Sequence, residues 1–60
     1  MTKEIPNVQK RLIELYNQKG QSFLFLLSTL SSISVNRLNE LIMEAEITQP
    51  EIWLLECHLD

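Results

Sequence analysis

An all-α domain of four short helices is what this sequence predicts, and three observations predict it. Apolar residues recur at helical spacing along most of the chain. One Gly and two Pro leave little material for the tight turns of a β fold. Thr48-Gln49-Pro50-Glu51 reads as a capping box with Pro in the first turn, a strong helix start.

The first helix follows Pro6 and Asn7. Val8, Leu12, Leu15 and Tyr16 stand at i, i+4, i+7 and i+8, one face of a helix, and Gly20 stops it with Lys19 just before. The second runs from Ser22 or Phe23 to Leu30, with Ser22 as its cap. Ser31-Ser32-Ile33 forms a turn. Ser34 caps a third helix running to about Glu44, with Val35, Leu38, Leu41 and Ile42 apolar. The fourth runs from Thr48 to about His58. Phe23–Leu27 could also be read as a buried strand, but no second segment of that quality exists to pair with it.

Sixty residues make one domain, residues 1–60, with a small core. Chains of this size usually need disulfides, a metal or a partner subunit. The single cysteine, Cys57, has no second thiol to pair with, and one Cys beside one His, His58, does not supply three or four zinc-type ligands. No metal or cofactor is expected, and self-association remains. The longest apolar run, Phe23 to Leu27, is too short to span a bilayer, and no basic start leads into an apolar run and cleavage site. A cytoplasmic protein is expected, with no membrane partner.

The net charge of −3 does not by itself suggest nucleic acid, but its distribution is uneven. Residues 1–20 hold Lys3, Lys10, Arg11 and Lys19 against Glu4 and Glu14, whereas residues 44–60 hold Glu44, Glu46, Glu51, Glu56 and Asp60 with no cation. Such a chain can still present one face compatible with DNA. Lys10, Arg11 and Lys19 also suit an ordinary wet helix face.

The stretch Leu24 to Ile42, LFLLSTLSSISVNRLNELI, fits two short helices crossing through a tight turn. Ser28 is small where the helices would cross, and Ser32 is small in the turn. Leu27, Ile33, Leu38 and Leu41 supply the apolar contacts. This pattern resembles the lambda repressor/Cro-like helix-turn-helix family, the xenobiotic-response-element type. Ser28 stands where that family usually has Ala, and Ser32 where it usually has Gly. Val35 to Ile42 takes the place of the recognition helix, and the segment from Ile47-Thr48 to Leu59 resembles the next helix. The sequence departs from the pattern at Leu24, where the family usually has Gln, and at Phe23 and Phe25, where polar residues are common.

The resemblance implies a four- to five-helix lambda repressor-like domain and a phage-type DNA-binding transcriptional regulator, a Cro-like repressor working in a bacterial host cell. Its third helix would read double-stranded DNA in the major groove. Ser34, Val35, Asn36, Asn39 and Glu40, with Met43, are expected on the solvent side opposite Leu38 and Leu41. Asn pairs with adenine, Glu accepts from cytosine, and Val35 suits a thymine methyl. Arg37 lies off that strip and either reaches phosphate or pairs with a nearby acid. Ser22 and the amides opening the second helix are candidate phosphate contacts.

Two apolar runs exceed what a small core needs. In Phe23-Leu24-Phe25-Leu26-Leu27 and in Ile52-Trp53-Leu54-Leu55, some side chains must point outward. Exposed apolar patches mark contacts with other chains. A homodimer through Trp53, Leu54, Cys57, His58 and the chain end is expected, placing two reading helices on a palindromic site. The competing arrangement packs these residues into a monomer core. The competing function is a protein-binding module of the same shape, such as an antirepressor or antitoxin-like partner; it is favoured by the net acidity and the apolar second helix. An enzyme is not expected, because no acid and base groups stand at useful spacing and no phosphate loop exists. Neighbouring Cys57 and His58 would point about 100° apart on a helix, so the thiol has no activating base there.

Overall fold

The computed structural model describes residues 4–59. Four helices follow one another: α1 (Asn7–Lys19), α2 (Gln21–Ser31), α3 (Val35–Ile42) and α4 (Gln49–Leu59). No strand occurs among the described residues, so the all-α expectation holds, including helix over Phe23–Leu27. No helix is long and apolar enough to cross a membrane among the described residues.

Each helix donates one apolar stripe to a common core. Val8 and Leu12 come from α1, Leu24 and Leu27 from α2, Leu38 and Leu41 from α3, and Leu55 from α4, with Ile33 from the α2–α3 turn. Tyr16, Phe23, Val35, Ile42, Ile47, Ile52 and Leu59 pack around them, half-buried. In α4 the inward residues Ile52, Leu55 and Leu59 stand at i, i+3 and i+7. The same spacing turns Trp53 and Leu54 outward. Helices α1 and α2 each pack on all the others, whereas the backbones of α3 and α4 do not come close to each other.

A single residue joins α1 to α2. The Gly20 N–H closes α1 on the Tyr16 carbonyl at 2.7 Å, and its own carbonyl accepts from the Phe23 N–H at 3.2 Å. This double role requires φ 81 and ψ −164, a region open almost only to glycine. Helix α2 therefore starts at Gln21, and no side chain caps it. The expected Ser22 cap is corrected: Ser22 lies inside the first turn, because the chain restarts a helix as soon as Gly20 has turned it.

The α2–α3 turn is Ser32, Ile33 and Ser34. Ser32 takes the left-handed conformation, φ 65, at the position where a glycine is the usual solution. Ser31, expected in the turn, is instead the last helical residue of α2 and is buried. Its hydroxyl donates to the Leu27 carbonyl at 2.7 Å and accepts from the Ile33 N–H at 3.4 Å. Ser34 caps α3 as expected, its Oγ accepting from the Arg37 N–H at 3.2 Å.

Helix α3 ends two residues earlier than its expected end at Glu44. Glu44 turns left-handed, φ 67, its N–H reaches back to the Leu41 carbonyl, and the Ala45 N–H reaches the Glu40 carbonyl. These two bonds form a Schellman motif with Glu in the usual glycine position. Gln9 of α1, wholly buried, locks that turn from beneath. Its Nε2 donates to the Leu41 carbonyl at 2.8 Å and the Ala45 carbonyl at 2.9 Å.

Candidate nucleic-acid interface

The outward side of α3 is built by the same spacing that builds its core side. Leu38 and Leu41 point in, so Asn36, Glu40 and Met43, at i, i+4 and i+7, form the exposed stripe. Asn39 lies beside it, half-buried, and Ser34 is exposed at its head. Val35 departs from its expected position on the solvent side. It shares the i, i+3, i+7 row of Leu38 and Ile42 and is half-buried against the core. Ser22 is exposed in the first turn of α2, where the opening amides have no side-chain cap. The two ends expected to meet phosphate and bases are thus both open to solvent.

Of the two roles open to Arg37, the structure shows the acid pair. Its Nε donates to Glu51 Oε2 at 2.6 Å and its Nη2 to Glu51 Oε1 at 2.9 Å, a two-pronged fork on one carboxylate. Nη2 also donates to the Glu46 carbonyl at 2.8 Å, and Nη1 to Glu40 Oε1 at 3.1 Å. Glu51 Oε1 further accepts from the Thr48 N–H and hydroxyl, both at 3.0 Å. The reciprocal bond to the Thr48 N–H is the Glu half of the expected capping box.

The electrostatics follow from this crowding of donors. The Arg37 guanidinium holds the Glu51 carboxyl down at about 2, helped by the two Thr48 donors and opposed by partial burial. In return Glu51 and then Glu40 push the Arg37 pKa further up, so it stays charged. Arg37 is the one cation on α2 and α3, so the outward stripe of α3 carries none that is free. Among the described residues the exposed lysines and arginines lie on α1: Lys10, Lys19, and Arg11, which pairs with Glu14 at 3.2 Å.

Two apolar surfaces lie beside the polar stripe. On α2, Phe25, Leu26 and Leu30 are each more than half exposed, along one face with Thr29, and the helix carries no charge. On α4, Trp53 is 60% exposed and Leu54 41%, and Cys57 and His58 share the exposed surface. The four residues expected at a dimer contact are therefore at the surface and not packed into a monomer core. Asp60, at the chain end expected to join them, lies outside the described residues.

Sequence reasoning missed Gln9, Ser31 and the destination of Arg37. Gln9 adjoins Val8 on the inward side of α1, yet a polar residue next to an apolar stripe carries no mark that it will be buried. Glu51 was visible as a capping residue, but its bond to a residue fourteen positions earlier is a tertiary fact. Among the described residues no cluster of three or more His, Cys, Asp or Glu is placed to hold a metal. No protein-family model, curated protein or solved structure matches this chain.

Proposed function

We propose that this chain is a sequence-specific DNA-binding transcriptional regulator of the lambda repressor/Cro-like type, acting as a homodimer and not as an enzyme. One observation carries the reading. Helix α2, a three-residue turn and an N-capped α3 present Ser34, Asn36 and Glu40 to solvent, with half-buried Asn39 beside them, while the α3 backbone does not come close to α4. That is the arrangement by which a helix enters a major groove. Asn36 and Asn39 would pair with adenine and Glu40 would accept from cytosine. The Gln21 and Ser22 amides opening α2, with the Ser22 side chain and the α1 cations, would meet phosphate. A pairing contact would use Trp53, Leu54, Cys57 and His58, which are exposed on α4, a different helix from the reading stripe.

The test is selection from random duplexes at low salt, expected to return a palindromic site. Asn36→Ala should then weaken binding to that site by about 1–3 kcal/mol with the fold intact. Equal affinity of variant and wild type would take Asn36 out of the reading. A second reading, a protein-binding module such as an antirepressor, is favoured by the uncharged apolar face Phe25, Leu26 and Leu30. It is the outcome if selection returns no site.

A further inference from the structure

Helix α3 is held on one side by packing and on the other by charge. Its inner face joins the common core through Leu38 and Leu41, and its backbone runs close to α1 and α2 but not to α4. What joins the two is Arg37. Its guanidinium spans three points of the α3–α4 segment: Glu40 on α3, the Glu46 carbonyl in the link, and Glu51 in the first turn of α4. Glu51 is itself fixed by Thr48, so the fork closes on an anchored carboxylate. Arg37 and Glu51 are 28% and 15% exposed, against 63% for Glu40, so the pair with Glu51 is the sheltered one. Four of the five N–H donors of the guanidinium are engaged, and the single Nη1 N–H that remains cannot grip a phosphate with two prongs.

We infer that Arg37 is a positioning residue that fixes the outward stripe of α3 relative to α4, and that it makes no phosphate contact itself. The inference rests on the DNA-reading function of that stripe. The positioning and contact roles predict opposite signs for one substitution. If Arg37 served phosphate, Glu51→Gln would free the guanidinium and remove a negative charge, and DNA affinity would rise. If Arg37 positions α3, Glu51→Gln unpins the helix and affinity falls.

The experiment measures the affinity of wild type, E51Q, R37Q and R37K for the selected duplex over a salt series, beside amide hydrogen exchange on the same proteins. E51Q should weaken binding by about tenfold, the worth of one good charge-assisted bond. R37Q should weaken it without changing the salt slope, whereas loss of a phosphate contact would lower that slope by about 0.9. R37K should not restore binding, because an ammonium cannot reproduce the fork. In E51Q, amides at 38–42 should exchange faster while those of α1 keep their protection. Tighter binding by E51Q, or a slope reduced in R37Q, overturns the inference. If wild type binds no duplex, the functional reading fails and hydrogen exchange alone decides. Faster exchange confined to α3 and the start of α4 supports positioning; unchanged or uniformly faster exchange overturns it.

Discussion

The two junctions of α3 are built from different forces. Between α2 and α3, Leu27, Ile33, Leu38 and Leu41 close a dry contact, and the buried Ser31 hydroxyl is satisfied within the turn. Between α3 and α4 the backbones do not come close, and Arg37, Glu51 and Thr48 form the joint. The first junction depends on volume and is indifferent to pH and salt. The second depends on ionisation and responds to both. The angle between α2 and α3 is thus the durable feature of the molecule, and the setting of α3 against α4 is the adjustable one.

The largest effect is expected from breaking the dry junction. Leu38 is fully buried where α3 meets the core. Leu38→Ala removes transfer energy and opens a cavity, at a cost of about 2–5 kcal/mol. A domain of this size has little stability to lose. Urea melts followed by circular dichroism should show loss of most or all of the folding transition. A midpoint within error of wild type would mean that the junction collapses around the missing side chain.

A smaller, pH-dependent effect is expected at the charged junction. Folding holds Glu51 at about 2 against an ordinary 4.5. A carboxyl depressed on folding stabilises above its unfolded value, and that stability is lost as pH falls through the folded one. Partly screened by solvent, the contribution at neutral pH is on the order of 1–2 kcal/mol. Glu51→Gln should destabilise by about that amount at pH 7, with the gap to wild type closing between about pH 5 and 2 as Glu51 itself protonates. A gap constant with pH would show that the substitution acts through shape and not charge.

The same contrast explains what could be seen in the sequence. Helix number, Gly20 as the stop of α1, the Ser34 cap and the inward set Leu27, Ile33, Leu38 and Leu41 all follow from local spacing and local hydrogen bonding, and all are present. Most of the outward stripe of α3 was legible for the same reason. Val35 was misplaced because it begins the helix, where one step of 100° separates the solvent side from the core row. The α3–α4 joint was hidden. Arg37 offered two roles from sequence, and only the fold brings it beside Glu51. Burial of Gln9 was equally hidden, since it depends on where the Schellman turn after α3 comes to rest over α1.

The smallest effect runs in the opposite direction and compares the two junctions directly. Each contains one residue held left-handed without being glycine: Ser32 between α2 and α3, and Glu44 between α3 and α4. The left-handed region costs a residue with a Cβ about 1–2 kcal/mol, part of which glycine forfeits through the greater freedom of its unfolded chain. Ser32→Gly and Glu44→Gly should therefore each stabilise by about 0.5–1 kcal/mol. The sites lie in separate turns with no shared partner in the hydrogen bonds described, so the double variant should gain the sum. Thermal melts of the single and double variants measure this. A gain at Ser32 with none at Glu44 would sharpen the contrast, showing that the dry junction holds its turn in a fixed conformation while the charged one lets Glu44 relax.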